Sequence, residues 1–191
     1  MLRQWGFRTR IAPSRVPEPP PRRERPARYA RRLALAKAEA VARQWPECWV
    51  LGADTIVVHD RRIFGKPASA GAAVRMLRTL AGSRHTVITA VALVCVARAR
   101  RHVAHATSRV TMRAMAPGEL ARFARRHRDK AGGYAVQEVR DPVVVRVRGS
   151  YTNVVGLPKE LVVPMLRQVG IRPQRGARFS GASRPSRSRA L

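Results

Sequence analysis

Two runs rich in Val, Ile and Thr, Arg84 to Val96 and His102 to Arg113, stand on either side of the arginine-rich turn Arg98–Arg101. Such side chains fit a pleated, half-buried surface, so the pair predicts two long strands joined as a hairpin. A third strand is expected at Trp49 to Val58. The turn His59-Asp60-Arg61-Arg62 leads from it to a short strand, Ile63-Phe64, and a further strand is expected at Pro142 to Val147. Helical periodicity runs from Ala27 to Gln44, with Tyr29, Leu33, Ala36, Ala40 and Val41 on one face. Ser69 is placed to N-cap a helix reaching Leu80, with Ala73, Met76, Leu77 and Leu80 inward. Helices are also expected from Pro117 to Arg126 and from Leu161 to Val169. Residues 1–5 read as the end of a helix stopped by Gly6, Phe7 to Ala12 as a strand, and Pro13 to Pro26 as an extended loop. Residues Ala131 to Gln137 read as a Gly-rich loop. Strands and helices alternate around one hairpin, so the expected class is α/β, a mixed twisted sheet flanked by helices.

A chain of 191 residues has room for one domain with a real core. Its formal net charge of +28 would usually point to a nucleic-acid partner. The charge is spread, however: ten arginines lie within residues 1–32 and six within residues 172–191. Aromatic content of 5% leaves few rings on which bases could stack. Solvated arginine faces with basic ends are the simpler account, and non-specific attraction to polyanions follows from either. Cys48 and Cys95 are too few for a disulfide framework and lack zinc-ligand spacing; both are expected to be buried apolar groups in a reducing, cytoplasmic setting. The longest apolar run, Val87 to Ala97, is too short to span a bilayer, so no membrane association is expected. The composition after Arg172 cannot bury a core, and 172–191 is expected to be a disordered basic tail following a domain of residues 1–171.

Only four of the 39 cations are lysine. Three of them sit in segments suited to phosphate: Leu33-Ala34-Leu35-Ala36-Lys37-Ala38, Gly65-Lys66-Pro67 and Asp129-Lys130-Ala131-Gly132. An ammonium is a compact charge for a phosphate, where an arginine asks for bidentate geometry. Between the first two segments, Asp54 stands in the middle of Val50-Leu51-Gly52-Ala53-Asp54-Thr55-Ile56-Val57. A carboxylate in such a strand is costly to bury unless a cation or donors meet it. It could simply cap a neighbouring turn. Lys37, Lys66 and the polar run Ser150-Tyr151-Thr152-Asn153 favour a working site instead. One acid with several cations and donors suits metal-assisted attack on a phosphoryl group.

These segments, with Leu51-Gly52-Ala53-Asp54-Thr55, Gly149-Ser150-Tyr151 and Gly156-Leu157-Pro158, occur in an order that resembles the Maf-like nucleoside triphosphate pyrophosphatases. The resemblance runs from Met1 to about Ile171. It implies an α/β fold like that of the inosine triphosphate pyrophosphatases, a homodimer in many members, and a nucleoside triphosphate substrate. It further implies cleavage between the α- and β-phosphates with a divalent cation, Mg²⁺ or Mn²⁺. Carried over by residue, Asp54 matches the family's proton acceptor, Lys37 and Lys66 its phosphate-contacting lysines, and Glu18, with Asp54, its metal site. Thr55 and Gln137 match positions of base discrimination, and Ser150 and Asn153 would add contacts to substrate. Ala135-Val136-Gln137 and Thr89-Ala90-Val91-Ala92-Leu93 are more similar to the dTTP/UTP branch than to the 7-methyl-GTP branch.

The sequence departs from that pattern at several places. Met1 to Phe7 resembles the end of the family's first helix, so the preceding strand and Ser-x-Ser-Pro-Arg-Arg loop are not in the sequence as given. A start placed too late and a decayed gene copy both fit this observation. Glu138 stands where the family usually has glycine, and His127-Arg128 replaces an acidic turn. An alternative function therefore stands beside the pyrophosphatase: a weak or inactive relative that binds nucleotide or nucleic acid through its basic surface.

Overall fold

A computed structural model describes residues 1–21, 23–126, 130–134, 136 and 142–174. The long hairpin forms its centre: β3 (Arg84–Cys95) and β4 (Arg100–Met112) pair from Arg84↔Thr111 to Cys95↔Arg100. On the other side of β3 lies β1 (Val50–His59), in register from Val50↔Val94 to Val58↔Thr86. Asp60 and Arg61, both at positive φ, turn the chain into β2 (Arg62–Phe64), and β5 (Val144–Arg148) completes the order β2-β1-β3-β4-β5. The α/β class stands. In detail, each described pairing is antiparallel where a mixed sheet was expected. For β1–β2 and β3–β4 the physical reason is local: tight turns after β1 and β3 send the following strand back alongside its predecessor.

Helix α1 (Pro26–Ala42) covers one face of the sheet. Against the other face pack α2 (Ala70–Leu80), α3 (Pro117–Arg126) and α5 (Lys159–Gln168), together with Trp5 and Phe7. Ser69 caps α2 as expected, accepting from the Ala72 N–H at 3.1 Å. Gly6, with φ 85°, ends a single 3-10 turn over Arg3–Trp5. A five-residue helix, α4 (Tyr151–Val155), falls in the polar run that had been read only as a source of donors.

The contact of α1 with the sheet positions the site. Two ridges of the helix face inward, Tyr29-Leu33-Lys37-Val41 and Ala30-Ala34-Ala38-Ala42, and the four alanines are fully or almost fully buried. Their small size lets the helix lie close on β1. At Gly52 the approach leaves no room for a side chain: a Cβ there would sit 2.5 Å from the Ala34 carbonyl oxygen and 2.8 Å from the Ala38 nitrogen. Ala36 and Ala40, placed on the buried face from periodicity, are only half-buried. In a helix where nearly every second residue is alanine, hydrophobicity does not reveal the phase of the buried stripe.

Two further expectations are corrected. Phe7 to Ala12 forms no strand: Phe7 is buried, but Ile11 is 83% exposed, so the segment lacks the alternation and the partner that a strand requires. Cys95 is buried as anticipated, whereas Cys48 is exposed, because it lies in the turn between α1 and β1.

Candidate active site

Strand β1 pairs with β2 only over Val57–His59, so among the described residues its edge from Val50 to Ile56 has no neighbouring strand. A cleft of about 250 Å³ straddles this edge. Because side chains alternate across a strand, the cleft has two unlike ends. Toward α1 it presents Asp54, Lys37, Glu18 and Tyr29. On the opposite side it presents Thr55, Val57, Val87, Tyr134, Val154 and Val155. Lys66 and Lys130 also line it.

At the charged end, the Lys37 ammonium lies 2.5 Å from Asp54 Oδ1 and 2.6 Å from Glu18 Oε1. Asp54 is 7% exposed, and its second oxygen, Oδ2, is buried without a hydrogen-bond partner. Burial pushes the Asp54 carboxyl above the ordinary carboxylate range. The Lys37 hydrogen bond and charge hold that rise back, Glu18 adds to it, and Lys66 opposes it through space. Burial also works against the Lys37 charge, yet the two carboxylates outweigh it and hold the ammonium above its usual value. The result is a permanently charged lysine beside a carboxylate of increased basicity, one oxygen of which has no hydrogen-bond partner and so retains its capacity to accept a proton.

The other sequence-derived site residues divide clearly. Glu18 reaches the centre from the Pro-rich loop, Lys66 lines the cleft after β2, and Thr55 lies on the opposite side of β1 from Asp54. Ser150 and Asn153 do not line the cleft. Ser150 Oγ caps α4 by accepting from the Asn153 N–H at 3.0 Å. The fully buried Asn153 side chain donates to Val87 O at 3.1 Å and Ser108 Oγ at 2.9 Å, and it accepts from the Thr89 N–H at 3.0 Å. Gln137, like Glu138 and His127 to Asp129, lies outside the described residues.

Two residues were missed from sequence. Tyr134 lines the apolar end, and its hydroxyl is 2.7 Å from Nε2 of the buried His85. Neither residue carries a spacing signal, since 49 positions separate them. Burial drives the His85 imidazole down to about pKa 4, so it stays neutral in the folded protein while the unfolded chain titrates near 6.5. Its contribution to stability is therefore complete above pH 6.5 and is lost as pH falls toward 4. Between pH 7 and pH 5 the loss is about 2 kcal/mol at 1.4 kcal/mol per unit. Urea unfolding at the two pH values will show this difference, and it should shrink in His85→Asn.

The donor set also bears on metal binding. Among the described residues no group of three or more His, Cys, Asp or Glu is assembled. Glu18 and Asp54 with its unpartnered oxygen fit an ion that takes one or two carboxylates and completes its shell with substrate phosphates and water, as Mg²⁺ prefers. They do not form a cage for a tightly held structural ion.

The fold is thus an α/β sheet in which an aspartate and two lysines line one cleft at a strand edge without a neighbour among the described residues. The family model described as Maf-like protein matches residues 1–169, and the chain belongs to that family. Curated relatives agree. A dTTP/UTP pyrophosphatase of Moorella thermoacetica is 42% identical over 90% of this chain and 89% of its own length. One of Thermomicrobium roseum is 46% identical, covering 89% of this chain and 78% of its own length. One of Pelotomaculum thermopropionicum is 40% identical over 89% and 90%. No helix among the described residues is long and apolar enough to cross a membrane.

Proposed function

We propose that this protein is a nucleoside triphosphate pyrophosphatase that hydrolyses dTTP and UTP to the monophosphate and pyrophosphate. The observation that carries the reading is the buried, unpartnered Oδ2 of Asp54 beside the Lys37 ammonium, at the charged end of a cleft whose other end is apolar. The two ends match the two halves of a nucleotide. Lys37 and Lys66 would neutralise phosphate oxygens, while Val57, Val87, Val154 and Val155 would enclose the base beside the hydroxyl of Thr55.

In this reading Asp54 takes a proton from a water molecule as the water oxygen bonds to the α-phosphorus. The anhydride bond breaks, and its electron pair leaves with pyrophosphate. Lys37 holds Asp54 ionised and in place before the attack, and its charge stabilises the oxyanions that develop. Glu18 and Asp54 are the residues to hold a divalent cation, Mg²⁺ or Mn²⁺, which would neutralise phosphate charge when bound. Gln137 is proposed as a second base contact, since a side-chain amide can meet both the donor and the acceptors of a uracil or thymine edge. Ser150 and Asn153 support α4 and the floor of the cleft, as their hydrogen bonds indicate.

The test is product identity. Incubated with Mg²⁺ and UTP or dTTP, the protein should release monophosphate and pyrophosphate in equal amounts. Diphosphate with orthophosphate would overturn the reading by placing cleavage at the γ-phosphate, and no turnover combined with binding that ignores base identity and collapses with salt would support the polyanion-binding alternative.

A further inference from the structure

A threonine hydroxyl carries one proton. Thr89 Oγ1 donates its proton to the Asn153 carbonyl oxygen at 2.7 Å. No second proton remains for the 2.9 Å contact between Thr89 Oγ1 and Thr55 Oγ1, so Thr55 must be the donor there. The Thr55 proton is thereby turned into the protein, and only lone pairs are left to face the cleft.

The direction of this relay is anchored throughout. Thr89 and Asn153 are fully buried. The Asn153 amide is oriented because its Oδ1 accepts the Thr89 N–H, while its Nδ2 donates to Val87 O and Ser108 Oγ. Ser108 in turn donates its own proton to the Ser150 carbonyl at 2.9 Å. Each hydroxyl proton from Ser108 to Thr55 thus has one assigned acceptor. Space beside the last hydroxyl is kept by Gly156, at φ 106°, where a Cβ would come within 3.2 Å of Thr55 Oγ1.

We propose that Thr89 is a positioning residue that fixes the Thr55 hydroxyl as a hydrogen-bond acceptor toward the cleft, so that the site selects a base edge bearing an N–H at that point. This inference rests on the cleft being a nucleotide site. Uracil and thymine present the N3–H of an imide; cytosine presents a lone pair at the same ring position, which would face the Thr55 lone pairs without a proton between them. A site built to pair with a donor rejects the analogue lacking it far more strongly than an apolar pocket rejects a change of size.

The experiment compares kcat/KM for UTP and CTP in wild type, Thr89→Val and Thr89→Ser, with N3-methyl-UTP as a substrate that lacks the donor. Wild type should prefer UTP and use N3-methyl-UTP poorly. Thr89→Val frees the Thr55 hydroxyl to rotate. It should reduce the UTP/CTP ratio by about tenfold or more, mainly through KM, and Thr89→Ser should restore it. Normal UTP turnover with an unchanged ratio in Thr89→Val would overturn this inference alone. Absence of turnover on every triphosphate would overturn the pyrophosphatase reading and this one with it. Should Thr89→Val fail to fold, wild-type use of N3-methyl-UTP as readily as UTP is the result that sinks the proposal.

Discussion

Asp54→Asn should lower kcat for pyrophosphate release from UTP by about 10³-fold, within the range for loss of a positioned general base. Asparagine keeps the shape of the side chain but cannot take up the water's proton, and its amide offers no anionic oxygen where Oδ2 now stands unpartnered. The fold should survive. The substitution removes a desolvated charge, and Lys37 keeps Glu18 as a partner at 2.6 Å. A pyrophosphate-coupled assay and a thermal melt on the same preparation separate the two effects. Turnover equal to wild type would show that the activity resides elsewhere.

Lys37→Met should damage both activity and stability. Methionine fills the same place in the Tyr29-Leu33-Lys37-Val41 ridge but leaves the Asp54 carboxylate buried without its cation. Removing one partner of a buried ion pair costs about 3 kcal/mol, because the remaining charge stays desolvated. The loss of a charge aimed at developing oxyanions should reduce kcat/KM by about 10²-fold. The double variant Lys37→Met/Asp54→Asn distinguishes these contributions. It should regain most of the lost stability, since no buried charge is left unpaired and the 39% exposed Glu18 carboxylate is reached by water, while activity stays at the level of the Asp54 variant. Urea unfolding of the four proteins is the measurement; a Lys37→Met protein as stable as wild type would mean that Asp54 does not depend on this lysine.

Much of the framework was legible. The hairpin of β3 and β4, the strand carrying Asp54 and the cap at Ser69 follow from patterns of Val, Ile, Thr and Ser that act over a few residues. Asp54 itself was conspicuous because an acid in an apolar strand requires compensation. Other features were not legible. The alternating alanines of α1 hide which of them touch the sheet, and only the lack of room for a Cβ at Gly52 shows that helix and strand meet there. Ser150 and Asn153 have the chemistry of substrate contacts, yet the Ser150 hydroxyl caps its own helix, and the Asn153 side chain finds Ser108, Val87 and Thr89, dozens of residues away. His85 and Tyr134 meet over a comparable separation.

Taken alone, the amino-acid order determined the class of fold, the strand on which the acid sits and the lysines able to serve it, because periodicity and the cost of burying charge act on short segments. Tertiary structure decided which polar groups remain available to a ligand. Asp54 keeps one oxygen unpartnered, Asn153 keeps nothing, and Thr55 keeps only its lone pairs. That outcome depends on how many donors and acceptors each side chain meets after folding, a count that exists only once distant segments are in contact.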